Sequence, residues 1–356
     1  MITREAKTNK VVRFYQTGGI EVLKTEEVAI AEPGAGEVRL RIQAVALNRS
    51  DAIFREGNYL QSPEFPARLG VDAAAIVEAV GLELQELPDV SHQPAFHRDQ
   101  GPNRKPIKVG DNVLTLAGFN LSQHGVLGET TILPASFVIP YPNQLTPAEA
   151  SALLTPFLTS WGALIDYGQM SQGDYVLLTA ASSSVGVAAL QIIHATGATA
   201  IATTRNSAKK QALLDAGADY VIVTSEEDVV SRVKEITNGK GVRLAFDSVA
   251  GSGLEAITNV AAQGAQIFIY GALAKEPTIT PLWTLMAKEL NIRGYSNYEV
   301  FSNPERFERG INYLYDGVRN GILKPVIAKE FTFEEVVSAL GYMESNEQMG
   351  KIVVTF

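Results

Sequence analysis

The chain opens on short apolar runs, alternates strand-like and helix-like segments from about residue 147, and changes rhythm again after residue 297. Residues 10–15 (KVVRFY), 37–47 (EVRLRIQAVAL) and 71–80 (VDAAAIVEAV) are β-branched runs bounded by Gly and Pro, which predicts strands. Residues 111–114 and 130–133 continue the pattern. No long amphipathic helix interrupts it, so a compact antiparallel barrel is expected. Residues 91–108 (SHQPAFHRDQGPNRKPIK) are polar, Pro-containing and basic. They read either as a surface insertion of the kind that forms lids and binding loops, or as a plain solvated loop.

The middle of the chain has a different period. A helical segment at 147–167 leads into strands expected at 175–180, 199–204, 220–223, 243–247, 266–270 and 290–294. Helices fit between most of them, at 185–196, 208–216, 227–237 and 253–261. This alternation predicts an α/β fold with a doubly wound parallel sheet, and six strands suffice for a Rossmann dinucleotide-binding domain. A helix at 304–320, a segment at 324–326, a short helix and a closing strand at 351–356 complete the chain.

The turn after the first strand of that sheet carries candidate chemistry. Small residues, Ala180 to Gly186, separate the strand from its helix, so backbone N–H groups at the helix start can approach a pyrophosphate. Ser182, Ser183, Ser184 and Val185 are the candidate contacts. Ala180, Ser183 and Gly186 stand where three glycines are usual. A side chain at Ser183 crowds a phosphate, or donates its hydroxyl to it; Gly186 permits close packing of helix on sheet. The second strand ends Thr204-Arg205-Asn206-Ser207, followed by Lys209. A site for the unphosphorylated cofactor usually has a carboxylate there. Arg and Lys beside hydroxyls suit a 2′-phosphate instead, which favours NADP(H). Exposed charges at a helix start are the competing reading.

Composition narrows the rest. The net charge of −9 gives no electrostatic help toward nucleic acid or an anionic membrane, so neither is expected as a partner. The absence of cysteine removes disulfides, thiolate metal sites and a cysteine nucleophile. No apolar run has the length of a membrane span or a secretory signal, so a cytoplasmic protein is expected.

Several motifs together resemble the medium-chain dehydrogenase/reductase superfamily along nearly the whole chain. They are Asn48-Arg49-Ser50-Asp51, Gly70-Val71-Asp72, Val109-Gly110-Asp111-Asn112-Val113, Leu158-Thr159-Ser160-Trp161, Leu213 to Asp219, and Gly350-Lys351-Ile352-Val353. The resemblance implies a GroES-like β-barrel domain from residues 1–140 and 298–356, split around a Rossmann domain at 141–297. It also implies a homodimer through the edge of the Rossmann sheet. Zinc-dependent members place Cys where Asn48 stands and Gly-His-Glu where Gly70-Val71-Asp72 stands, so the chain looks like the zinc-free branch and no metal is expected. That branch includes quinone oxidoreductases and 2-enoyl thioester reductases. Residues 48–59 resemble the second group, in which the tyrosine at the Tyr59 position is a catalytic candidate. The quinone enzymes usually carry tyrosine where Ile53 stands.

Without zinc, conjugate reduction of an α,β-unsaturated carbonyl is the accessible chemistry. Hydride goes to the β-carbon, a hydrogen-bond donor steadies the oxyanion, and a proton reaches the α-carbon. Tyr59 is the candidate donor, or else a turn tyrosine packed on the barrel. Asn48 is the candidate orienting group, or else a cap. By position, the resemblance extends cofactor contact to Thr159, Thr224, Ser248, Val249, Tyr270, Gly271, Leu273 and Lys351, each of which is otherwise an ordinary strand–loop junction. A small hydrophobic carbonyl or quinone is the expected acceptor, and a non-catalytic NADPH-binding protein the remaining alternative.

Overall fold

The computed structural model describes residues 7–82 and 107–356. Most of the expected insertion at 91–108, with His92 and His97, lies outside the described residues. The chain divides into two compact units. One comprises Met1–Thr155, Phe301–Phe307 and Lys324–Phe356; the other comprises Pro156–Val300 and Glu308–Leu323.

In the first unit, β1 (Thr8–Phe14) pairs antiparallel with β2 (Lys24–Ala29) and β4 (Ala67–Arg68). A larger sheet contains β3 (Glu37–Ala46), β5 (Asp72–Val80), β6 (Asn112–Thr115), β7 (Thr130–Pro134) and β8 (Val138–Pro140). Two C-terminal strands, β15 (Ile327–Thr332) and β16 (Lys351–Thr355), join its edge. Along β3, buried and more exposed positions alternate through most of its length, as expected of a strand with one face on a core. Four short helices belong here: α1 (Arg49–Arg55), α2 (Leu121–His124), α3 (Pro147–Ser151) and α12 (Val336–Ser345).

Register in this sheet brings distant residues together. Ala46 lies opposite Asp72 on β5 and opposite Val353 on β16. The next residue, Leu47, donates its N–H to Ile352 O at 2.9 Å. The chain therefore leaves β3 beside Lys351 and Asp72 at the point where Asn48 starts the turn into α1.

The second unit is built on a parallel six-stranded sheet of order β11-β10-β9-β12-β13-β14. Its strands are β9 (Tyr175–Leu178), β10 (Thr199–Thr204), β11 (Tyr220–Val223), β12 (Val242–Asp247), β13 (Ala261–Ile269) and β14 (Asn291–Gly294). The central strands are buried along most of their length, because helices cover both faces. These helices include α5 (Ser184–Thr196), α6 (Lys210–Asp215), α7 (Val229–Ile236), α8 (Gly253–Val260) and α9 (Leu282–Ala287). The strand order reverses at β9, with β10 on one side and β12 on the other. In such sheets that point is where a ligand crevice forms, outside the carboxyl ends of the strands.

Several elements differ from the sequence expectation. The helix expected at 147–167 is α3, then α4 (Leu154–Trp161), then a π-helical stretch, Gly162–Tyr167. Pro156 has no N–H to give a preceding turn, so it fits only near the start of a new helix. β13 begins at Ala261, earlier than expected, with a register shift against β12. α9 was not expected as a helix; no residue at its start supplies a side-chain cap. The remaining helices are α10 (Tyr298–Phe301) and α11 (Pro304–Arg319).

Candidate functional site

The turn from β9 to α5 is built for close approach. Ala180 takes a positive φ of 44°, the conformation that the usual glycine would adopt without strain. Ser183 caps α5, its Oγ accepting from Gly186 N at 3.0 Å. This hydroxyl therefore serves the helix start, a use that position in the pattern did not disclose. A Cβ on Gly186 would lie 2.4 Å from Ala181 O, so only glycine permits the packing of α5 on this turn. Ser182, Ser184 and Val185 are half-buried around the same helix start.

The end of β10 closes on this turn from one side. Lys209 Nζ donates to Ser182 Oγ at 3.1 Å, joining two candidates that lie far apart in sequence. Thr204 is buried, and its carbonyl accepts Thr224 N at 2.8 Å, so the ends of β10 and β11 are tied. Arg205 and Thr224 are exposed beyond them. An exposed guanidinium, an ammonium and several hydroxyls here make a donor set suited to a phosphate monoester.

On the other side of the strand-order reversal stands a residue that the sequence did not single out. Asp247, fully buried at the end of β12, accepts Thr179 Oγ1 at 2.6 Å and Val249 N at 2.9 Å on one oxygen, and Ala250 N at 3.1 Å on the other. Thr179 Oγ1 in turn accepts Ser248 N at 2.9 Å. Thr179 follows β9 and Asp247 ends β12, so this bond spans the crevice at the switch point. The loop after β13 is fastened to the same turn: Leu273 N bonds Ser248 O at 3.1 Å, and a Cβ on Gly271 would meet that oxygen at 2.8 Å.

Tyr270 stacks on Phe246, ring centroids 4.0 Å apart. Burial pushes its phenol up to about 12, against the opposing influence of the nearby Ser248 and Ser183 hydroxyls. Among the described residues, neither the Tyr270 hydroxyl nor Ser248 Oγ has a partner of good hydrogen-bond geometry. Two buried, unsatisfied hydroxyls at the carboxyl ends of neighbouring strands fit a polar ligand such as a dinucleotide. The glycine-only helix start fits its pyrophosphate. Thr159, on α4, is buried, and Val249 is half-buried.

In the barrel unit, Asn48, Asp72 and Lys351 form a closed buried cluster. Asn48 Nδ2 donates to Asp72 Oδ2 at 3.0 Å and to Ala46 O at 3.3 Å, while Lys351 Nζ donates to Asn48 Oδ1. Lys351 Nζ also lies 3.5 Å from Asp72 Oδ2, with Lys351 2% and Asp72 3% exposed. Thr155 Oγ1 donates to Asp72 Oδ1 at 2.8 Å. Asp51 Oδ2 accepts Asn48 N at 2.8 Å. Burial pushes the Asp51 carboxyl up to about 6, against the lowering effects of that backbone hydrogen bond and of Lys351. Burial likewise lowers the Lys351 ammonium from the usual lysine range, offset in part by Asp72 and Asp51.

These donors do not suit zinc. A catalytic zinc needs three protein ligands drawn from thiolate, imidazole and carboxylate. Here the expected thiolate position is an amide, the expected histidine position is Val71, and the neighbouring carboxylate already pairs with an ammonium. Among the described residues, no group of three His, Asp or Glu side chains is arranged to hold a metal. Tyr59 is half-buried in the turn after α1, next to the exposed Leu60.

Sequence reasoning named Asn48 and Lys351 but not the partners that bind them together. It missed Asp72, Thr155, Asp247 and Thr179 as site residues. One signal was present: Asp72 opens, and Asp247 closes, a strand whose adjoining residues are apolar, where a carboxylate needs a dedicated partner.

Comparison with known proteins finds two family models along the chain. Residues 34–143 match the alcohol dehydrogenase GroES-like domain, and residues 184–314 match the zinc-binding dehydrogenase family. A quinone oxidoreductase of Lama guanicoe is 28% identical over 348 residues, covering 97% of each chain. A 2-haloacrylate reductase of a Burkholderia species is 27% identical, covering 96% of this chain and 97% of that one. The structure of Escherichia coli quinone oxidoreductase complexed with NADPH superposes with a TM-score of 0.85 at 27% identity, covering 98% of this chain and all of the other.

Proposed function

Because the chain belongs to the medium-chain dehydrogenase/reductase superfamily, in its quinone oxidoreductase-like branch, we propose that it is a zinc-independent reductase transferring hydride to an α,β-unsaturated carbonyl acceptor. It is an oxidoreductase that uses NADP(H). The observation that carries the finer reading is the Lys351–Asn48–Asp72 cluster. An amide stands at one metal-ligand position of the zinc-dependent relatives, and a carboxylate paired to a lysine stands beside it, so the chemistry that suits this barrel runs on hydrogen bonding. The relative named for 2-haloacrylate reduction supports an activated double bond as the acceptor.

Bound NADPH supplies the hydride. The chain's part is to bind, orient and donate. In this reading Ser182, Ser183, Ser184 and Val185 lie along the pyrophosphate, and Thr204, Arg205, Lys209 and Thr224 around the 2′-phosphate. Thr159, Ser248, Val249, Tyr270, Gly271 and Leu273 bind the rest of the cofactor. Ser248 Oγ and the Tyr270 hydroxyl are the best supported, being buried without a good partner. Tyr59 donates a hydrogen bond to the acceptor's carbonyl oxygen as negative charge gathers there. Asn48 orients the reacting groups. We place the protein in the cytoplasm as a homodimer. No described helix is long and apolar enough to cross a membrane. The edge strand β14 and the 80% exposed Trp283 on α9 offer a surface for a second copy. Light scattering tests that assembly.

A second reading takes a quinone as the acceptor, favoured by the names of several relatives. NADPH consumption with a small enone, an enoyl thioester and a small quinone separates the two. Turnover on the first two above the quinone supports conjugate reduction, and the reverse order supports the quinone. NADPH binding with no turnover on any of the three would leave only a non-catalytic binding protein.

A further inference from the structure

We propose that Lys351 is a positioning residue, whose ammonium fixes the orientation of the Asn48 carboxamide for the reaction. This rests on the reading that Asn48 acts at the reacting groups. A carboxamide has two ends of nearly equal shape, so packing alone hardly distinguishes its two flipped orientations, and hydrogen bonding must choose between them. At Asn48 the choice is unambiguous. Lysine can only donate, so Lys351 Nζ requires an oxygen opposite it. A carboxylate accepts, so Asp72 Oδ2 calls for the amide nitrogen at 3.0 Å. Asp72 is itself steadied by Thr155 Oγ1 on its other oxygen and by the Lys351 ammonium.

The cluster is a costly way to fill space. Burying an ammonium and a carboxylate sacrifices the hydration of both, and apolar side chains of similar volume commonly serve stability as well or better. What apolar side chains cannot supply is a direction for the amide. The arrangement also restricts what Asn48 can do. Both hydrogens on Nδ2 are already directed, to Asp72 and to Ala46 O. With Lys351 on Oδ1 as well, Asn48 has no N–H left for a reacting oxygen and leaves oxyanion donation to another residue. Lys351 was expected at the cofactor by position. Its side chain is instead 2% exposed and turned to Asn48 and Asp72.

The test compares wild type with Lys351→Met, Lys351→Arg, Asn48→Ala and the double variant Lys351→Met/Asp72→Asn. For each, NADPH affinity, the thermal midpoint, and kcat and KM on the best acceptor are measured. The double variant leaves no unpaired charge at position 72, so its midpoint recovers part of the loss, while Asp51 still lacks the ammonium that steadied it. Its kcat is expected to stay about 100-fold down, the scale of a misplaced reacting group. NADPH affinity should remain within about twofold in both Met variants. Lys351→Arg, which keeps a cationic donor, should recover part of kcat. Wild-type kcat in the double variant, with Asn48→Ala slow, would overturn the positioning role alone. A loss of NADPH affinity of about tenfold or more in both Met variants would overturn it in favour of cofactor contact. Asn48→Ala turning over at the wild-type rate would overturn the reading of Asn48 itself, and this inference with it.

Discussion

Both units bury a carboxylate, and they satisfy it differently. In the barrel, Asp72 meets an ammonium, a carboxamide and a hydroxyl. At the switch point of the parallel sheet, Asp247 meets one hydroxyl and two backbone N–H groups, with no cation among its hydrogen-bond partners. The first arrangement binds side chains from the β3–α1 turn, β5, β16 and α4 to one another. The second shapes a turn, and Ala250 in that turn takes a positive φ of 60° that Asp247 helps to hold. A charge pair thus orients a side chain, whereas neutral donors around a lone carboxylate set a backbone. Mutation should separate the two.

The largest effect is expected where a charge loses its partner. Lys351→Met leaves Asp72 buried without its cation and should cost about 3–5 kcal/mol in urea unfolding. A cost near zero would mean that the pair is not buried as described. At the other carboxylate, Asp247→Asn keeps the shape but turns an N–H₂ toward backbone donors. A loss of about 2–3 kcal/mol is expected, with weaker NADPH binding in a fluorescence titration, because the 248–250 turn shifts. Unchanged NADPH affinity would detach Asp247 from the cofactor side.

Gly186→Ala tests the helix start. Its Cβ must displace Ala181 O, so a cost of about 1–3 kcal/mol and a drop in NADPH affinity are expected together. Asp51 gives a pH signature confined to the barrel. Its folded carboxyl holds a proton up to about pH 6, whereas an unfolded one releases it near 4. Between those values the folded state binds more protons, so stability falls as pH rises, by on the order of 2 kcal/mol. Asp51→Asn should remove that part of the slope; identical slopes in both proteins would refute the assignment. The smallest effect is Lys209→Ala, exposed enough for solvent to share the load. About a tenfold loss in the preference for NADPH over NADH is expected from the ratio of their affinities.

The parallel sheet was the more legible half of the molecule. Its covered strands are nearly continuous apolar runs, and β10 and β11 span the residues that pattern alone assigns. The tight turn from β9 to α5 was legible from its small residues, although the capping role of Ser183 needed coordinates. The barrel cluster was not legible. Asn48 meets Asp72 across 24 residues and Lys351 across 303, and such contacts leave no periodic trace in a single sequence. α9 escaped because its apolar residues Leu282, Trp283 and Met286 stay exposed, so they mark no face against a core.

In the proposed reading, this barrel works through hydrogen bonds and an internal ammonium in place of a metal. The most direct test of that reading is NADPH-dependent turnover of a small enone by protein dialysed against a strong chelator, with zinc content measured on the same sample. Zinc far below one equivalent and turnover equal to that of undialysed protein are expected. Turnover that disappears with the chelator and returns on adding stoichiometric zinc would contradict the reading.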